Sequence, residues 1–127
     1  MVSSDWLRSS RLPYFDDVDE AIATMEQLRR TRYPVYVTAH RGVTPPEELD
    51  ELVEENVTKE LELYDVLRSV ITRPMEEEEA VTAFMVRLGL RPAAVESPLM
   101  RHTARVRVRA LVHAGEYRME NGLVRPN

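Results

Sequence analysis

The 127-residue chain has no cysteine, which excludes disulfide bonds, thiol catalysis and any zinc or iron–sulfur site with cysteine ligands. Glycine is scarce as well. Its four residues, at positions 42, 89, 115 and 122, form neither GxGxxG nor GxxxxGK[ST]. The common glycine-rich phosphate-binding loops are therefore missing.

Long apolar runs are also lacking. No segment approaches the roughly 18 consecutive apolar residues that a transmembrane helix needs. Residues 1–10 contain no apolar stretch of the kind found in secretory signal peptides. We therefore expect a cytoplasmic protein without a membrane partner, or a subunit of an assembled particle if the protein comes from a phage.

Lysine is nearly absent, because Lys59 is the only lysine among 17 basic residues. A GC-rich coding genome accounts for this bias without any function. The alternative is selection for the guanidinium group, which binds carboxylates and phosphates in a bidentate manner that lysine cannot match. With 22 acidic residues the net charge is -5, so the positions of the arginines must decide between these explanations.

Helical periodicity and capping signals predict three main helices. Asp17 and Glu20 form a capping-box pattern at the start of a helix over about 17–31. Thr44-Pro45-Pro46-Glu47 predicts the start of a second helix that runs to about residue 71. A third helix lies between Pro74 and Gly89, and residues 89–100 are predicted to form a loop.

Period-two alternation predicts strands in two places. A short strand is expected at 34–39, and a longer one at 101–114 with arginines along its open face. Glu120-Asn121-Gly122-Leu123 predicts a two-residue hairpin loop between two short strands. The predicted fold is α+β: three main helices packed on a small antiparallel sheet with a C-terminal β-hairpin. Residues 1–12 are expected to form an N-terminal arm, and residues 13–127 a single domain.

Catalytic motifs are not found. Among the three histidines, His40 stands at a strand end where an active-site residue could lie, although a surface role is the commoner one. The four consecutive acids at 76–79 point around most of a helix, so they cannot converge on one metal ion. They match the positive end of the helix dipole instead. We expect no enzymatic activity, no cofactor and no metal.

An interaction function draws on more of the sequence. An acidic stretch at the start of the second helix could meet the predicted arginine strand of another copy in a head-to-tail contact. The alternative is that both charged faces are solvated or pair within one chain, where exposed pairs add little stability. Trp6, in a polar arm, could dock on a neighbour or pack on its own domain. The candidate interaction residues are Trp6, Glu47, Glu48, Glu51, Glu54, Glu55, Arg105, Arg107 and Arg109.

The function favoured by these features is a non-enzymatic assembly subunit, homo-oligomeric or part of a larger complex. A phage structural component, such as a head–tail connector or tail protein, is its most concrete form. The alternative is a DNA-binding regulatory protein of winged-helix type, in which the arginine row would follow phosphates. The acidic pI near 5.3 and the acidic start of the third helix make nucleic acid the less favoured partner.

Overall fold

The computed structural model describes residues 10–38 and 42–127. The described helices and strands follow in the order α1 (Val18–Thr31), β1 (Tyr36–Thr38), β2 (Gly42–Thr44), α2 (Pro46–Val70), β3 (Met75–Glu76), α3 (Glu77–Arg87), α4 (Pro92–Glu96), α5 (Pro98–His113), β4 (Tyr117–Glu120) and β5 (Leu123–Pro126). This mixture of helices and small antiparallel sheets confirms the α+β class.

Helix α1 confirms the helix predicted over 17–31. Asp17 is its N-cap residue, and its Oδ1 accepts a hydrogen bond from the Glu20 N–H at 2.9 Å. The helix ends at Arg32, whose φ of 54° lies in the left-handed region. The chain then passes through Pro34 and enters β1.

Helix α2 occupies most of the predicted second helix, but the capping box at its start is not formed. Thr44 lies in β2, where its hydroxyl donates to the Gly42 carbonyl at 3.3 Å. Pro45 takes the N-cap position without a side-chain cap, and Pro46 begins the helix because its fixed φ suits the first helical position. The 25 residues of α2 span about 37 Å.

Helix α3 ends as predicted, since Gly89 has a φ of 75° just beyond it. The loop predicted over 89–100 is largely wrong, because Pro92 begins the short helix α4 and Pro98 begins α5. Proline is favoured at the first helical position, where its missing N–H has no helical acceptor. Both prolines of the predicted loop are therefore first residues of helices.

The strand predicted over 101–114 is wrong, because these residues form most of α5. Ser97 caps this helix by accepting from the Met100 N–H at 3.4 Å. The buried residues of α5 lie at helical intervals: Thr103, Ala104, Arg107, Val108 and Leu111. Two of these five residues are polar. The apolar residues of this segment, taken alone, therefore alternate along the sequence and do not show the helical period.

The strands form two antiparallel sheets. Strand β1 confirms the centre of the strand predicted at 34–39 and pairs with β2. The second sheet has the order β3-β5-β4. The predicted C-terminal hairpin is confirmed, and Asn121 and Gly122 have φ values of 53° and 76°, as a type I′ turn requires.

The buried apolar residues form two clusters that share α2. The larger cluster joins the second half of α2 to α3, α5 and the three-stranded sheet, and it includes Leu12, which the sequence analysis places in the N-terminal arm. The smaller cluster joins α1, β1 and the first half of α2 through Met25, Tyr36, Leu49 and Val53. In the described part of the chain, no helix is long and apolar enough to cross a membrane.

Candidate functional site

The predicted row of Arg105, Arg107 and Arg109 does not exist as one surface. On a helix, residues two apart point to different sides, so Arg107 lies on the other side of α5 from Arg105 and Arg109. Arg107 is fully buried, whereas Arg109 is exposed and Arg105 is intermediate. The expectation that these three side chains share an open face is therefore wrong.

The Arg107 guanidinium lies in the protein interior opposite Glu60. Its Nε donates to Glu60 Oε2 at 2.9 Å and its Nη2 donates to Glu60 Oε1 at 2.6 Å, which makes the pair bidentate. Nη2 also donates to the Pro13 carbonyl at 2.8 Å, and Nη1 donates to the Thr103 hydroxyl and carbonyl. The group lies 5.8 Å from the Phe15 ring centroid. These contacts hold residues 13–15 against α5, so Arg107 has a structural role.

The arginines on the outer side of α5 pair with the acidic start of α3. Glu78 accepts from Arg101 Nη2 at 2.7 Å and from Arg105 Nη2 at 2.5 Å. Glu77 accepts from Arg109 Nε at 2.9 Å. Arg101 and Arg105 hold the pKa of Glu78 below its ordinary value, and Glu77 raises the pKa of Arg109. Two arginines of the predicted row, Arg105 and Arg109, are thus paired with carboxylates of the same chain.

The acidic stretch of α2 is partly neutralised in the same way. Glu54 accepts from Arg29 Nη1 at 2.6 Å, and Asp50 accepts from Arg32 Nη1 at 2.9 Å. The hydrogen bond that Arg29 donates to Glu54 raises the pKa of Arg29. Among the predicted interaction residues of this stretch, the exposed ones are Glu47, Glu51 and Glu54, and the partly buried ones are Glu48 and Glu55.

Charged side chains also line a cleft of about 530 Å³ between α1 and α2. Its lining residues are Arg29, Arg32, Asp50, Glu51, Glu54 and Glu55. A small-molecule site ordinarily combines apolar walls with a few converging polar groups. Both arginines of this cleft are already paired with carboxylates, and its other lining residues are acidic, so its chemistry does not favour a substrate site.

Of the three histidines, His102 and His113 lie in the described part of the chain. His102 Nε2 lies 2.6 Å from Asp16 Oδ1 near the start of α1. Within residues 10–38 and 42–127, no three His, Asp or Glu side chains are placed to hold a metal ion. His40 and Trp6 lie outside the described residues.

The feature that the sequence analysis missed is the outward face of the two-stranded sheet formed by β1 and β2, here called the β1–β2 ribbon. Val37 and Val43 are directly opposed across the pair and are 78% and 69% exposed. Tyr33 and Val35, which precede β1, are each 53% exposed. The outer face of the ribbon is therefore apolar, and none of the residues that the structure describes covers it.

The inner face of the ribbon carries the more polar residues. Tyr36 and Thr44 are opposed across the two strands and are both buried. The Tyr36 hydroxyl donates to the Leu28 carbonyl at 2.8 Å and accepts from the Tyr33 N–H at 2.9 Å. The Thr38 and Thr44 hydroxyl oxygens are 3.4 Å apart. Hydrogen bonds at the end of α1 thus fix the polar face inward and leave the valines outside.

Sequence alternation separates these two faces but cannot say which one is buried. Because apolar residues usually face the core, the ordinary expectation is that the valines form the inner face. The signal that favours the observed orientation is Tyr36, whose ring and hydroxyl are both accommodated beside α1. An inverted ribbon of this kind is typical of a surface that a partner covers.

No protein-family model, curated protein or solved structure matches the chain. The geometry and chemistry of the described residues are therefore the basis for assigning a function.

Proposed function

We propose that the protein is a non-enzymatic interaction or assembly subunit that contacts its partner through the outer face of the β1–β2 ribbon. The observation that carries this proposal is the inverted burial of the ribbon, with Val37 and Val43 outside and Tyr36 and Thr44 inside. The apolar outer face of the ribbon is suited to burial against another protein surface.

Leaving the apolar outer face of the ribbon in water is unfavourable, and a partner that covers it would remove this cost. Covering one highly exposed valine stabilises a complex by roughly 1–2 kcal/mol, and Val37 and Val43 are neighbours that one partner surface would cover together. A two-stranded ribbon is marginally stable by itself. Coverage by a partner would therefore stabilise both the contact and the ribbon.

The contact proposed here does not use the arginines predicted from the sequence. Arg107 is buried, and Arg105 and Arg109 have carboxylate partners on α3. An acidic helix of another copy would have to displace those partners. The interaction therefore rests on the apolar ribbon, and a phage head–tail connector or tail protein remains its most concrete form.

Site-specific photo-crosslinking tests this function. A photo-crosslinking residue placed at position 37 of the full chain should give a protein adduct in extracts of the cells that produce it, or in particles from them. The same residue at position 86 is the matched control, because Val86 is 60% exposed on α3. Adduct formation at position 37 alone supports the proposal, whereas equal or absent labelling at both positions contradicts it.

A second candidate is a DNA-binding protein of winged-helix type, and one observation favours it. The order α2-β3-α3-α4-α5-β4-β5, with the sheet order β3-β5-β4, is the order of helices and strands in winged-helix domains. In that arrangement α5 would be the helix that enters the major groove. The outer arginines of α5 are paired with Glu77 and Glu78, so phosphates would compete with two carboxylates for them.

Duplex binding at low salt tests the second candidate. If α5 binds phosphates, Glu77→Gln with Glu78→Gln should strengthen binding, because it releases the arginines, and Arg105→Ala should weaken it. Arg30→Ala, on α1, is a control outside the winged-helix order. A duplex that does not shift at low salt with any of these variants excludes DNA binding by this surface.

A further inference from the structure

We infer that the outer face of the β1–β2 ribbon is covered by the same face of a second copy of this chain, with the two ribbons stacked about a two-fold axis parallel to their strands. This inference rests on the proposed interaction function and names the partner of the same surface. Three features support it: the charges beside the two strands at the ribbon base, the symmetry of the contact and the size of the patch.

The two strands of the ribbon leave the helices from regions of opposite charge. Strand β1 follows the end of α1, where Arg30 is exposed. Strand β2 leads into the start of α2, where Glu47 and Glu51 are exposed. These three side chains make no ion pair with the described part of the chain. Each copy therefore offers a basic side and an acidic side at the base of one ribbon.

Symmetry selects one way of stacking two such ribbons. A two-fold axis parallel to the strands places β1 of each copy over β2 of the other and keeps both ribbon bases at the same end. The basic side of each copy then faces the acidic side of its partner, and this happens twice in the dimer. A two-fold axis across the strands places β1 over β1 with the bases at opposite ends, where the unlike charges do not meet.

The valines are self-complementary in the selected arrangement. Val37 lies opposite Val43 within one ribbon, so stacking β1 over the partner's β2 brings Val37 of each copy over Val43 of the other. Side chains on stacked sheets interdigitate across a spacing of about 10 Å. Charges at the ribbon bases act over a similar distance, since the Debye length at physiological salt is about 8 Å.

The size of the patch fixes the expected strength of the dimer. The exposed apolar side chains at Tyr33, Val35, Val37 and Val43 form a patch on the order of 400 Å². Each partner of a standard stable complex buries about 800 Å². The dimer should therefore dissociate in the micromolar range or above, and its mass should depend on protein concentration and on salt.

Light scattering of the purified full chain over concentrations from about 5 to about 500 µM tests this inference. The average mass should rise from 14.7 kDa towards twice that value. Val37→Thr with Val43→Thr should abolish the rise, because it keeps β-branched side chains and removes two methyl groups from each copy. Val86→Thr, which alters an exposed valine on α3, should leave the rise unchanged.

A charge-exchange experiment tests the arrangement itself. Arg30→Glu alone, and Glu47→Arg with Glu51→Arg alone, should each weaken self-association about tenfold, because like charges then meet twice in every dimer. An equimolar mixture of the two variants should restore the wild-type affinity, since both contacts then join unlike charges. Arg87→Glu and Glu62→Arg, which alter exposed charges away from the ribbon, should have no such effect.

The outcomes separate this inference from the proposed function. Concentration-dependent mass that is lost in the valine variant and rescued by the mixture supports the stacked dimer. A constant mass of 14.7 kDa overturns it, as does self-association that the valine variant leaves intact or that the mixture fails to rescue. A crosslink from position 37 to a different protein overturns the inference while supporting the proposed function.

Discussion

Arg107 occupies the protein interior because each of its guanidinium nitrogens has an acceptor. Nε and Nη2 donate to Glu60, while Nη1 donates to Thr103 and Nη2 also to the Pro13 carbonyl. Transfer of both charges out of water is costly, so the pair contributes little net stability, but either charge left alone would be strongly unfavourable. The pair therefore locks residues 13–15 onto α5 rather than strengthening the fold overall.

Substitution of one partner should reveal this asymmetry. Arg107→Met should lower the free energy of unfolding by about 3–5 kcal/mol, because it leaves the Glu60 carboxylate buried without a counter-charge. Arg107→Met with Glu60→Met should recover most of that loss, since two apolar side chains of similar length replace the ion pair. Urea unfolding followed by circular dichroism measures both changes.

Arg109→Met is the control for this prediction. Arg109 is an exposed arginine of the same helix, so its pairing with Glu77 should be worth less than about 1 kcal/mol. If Arg107→Met is no more destabilising than Arg109→Met, the interior role assigned to Arg107 is wrong.

Helix α5 shows what local pattern can and cannot predict about elements. Capping residues and turn glycines made α1, the end of α3 and the C-terminal hairpin predictable, because their signals act within a few residues. Ser97 and Pro98 are a local start signal for α5. The alternating apolar residues outweighed this signal, because Thr103 and Arg107 occupy buried positions and their partners are Phe15, Pro13 and Glu60. Contacts so distant in sequence leave no local pattern.

The same limit applies to the candidate site. Alternation places Val37 and Tyr36 on opposite faces of the ribbon. Which face is buried depends on the Leu28 carbonyl, which accepts a hydrogen bond from the Tyr36 hydroxyl. The charge groups were visible in the sequence, whereas their pairing within the chain depends on α3 and α5 being packed together. Composition shows that unlike charges are present and cannot say whether their partners lie inside the molecule.

The carboxylates that pair with arginine should make the fold sensitive to acid. Arg101 and Arg105 lower the pKa of Glu78, and Arg68 lowers the pKa of Glu116, from ordinary values near 4.5. A carboxylate whose pKa is lower in the folded state stabilises the fold fully above the unfolded pKa and loses that contribution as the pH falls through the folded value. Stability should therefore decline below about pH 4.5.

Glu78→Gln with Glu116→Gln should flatten this decline. At pH 7 each substitution should cost less than about 1 kcal/mol, because both carboxylates are substantially exposed and screened by solvent. Urea unfolding between pH 2 and pH 7 measures the effect, with Glu62→Gln on α2 as the control. A double variant with the wild-type pH dependence would show that these ion pairs do not couple the fold to protons.

At the scale of the whole molecule, many charged side chains form ion pairs within the described part of the chain, whereas the apolar outer face of the ribbon is exposed. Helix α2 connects the two buried clusters, and the β1–β2 ribbon stands on the smaller one. Arg105 and Arg109 of α5 are paired with α3, while Arg29 of α1 and Arg32, which follows that helix, are paired with α2. The surface that we propose for a partner is the valine face of the ribbon, with unlike charges at its base.

The native mass of the full-length chain in extracts of the cells that produce it tests the interaction function most directly. We predict that the wild-type chain, crosslinked in the cells before extraction, elutes in a species heavier than 14.7 kDa. Val37→Thr with Val43→Thr should shift it to the monomer position, while Val86→Thr should not. Elution of the wild-type chain as a 14.7 kDa monomer, or a complex that the valine variant leaves intact, would contradict the account.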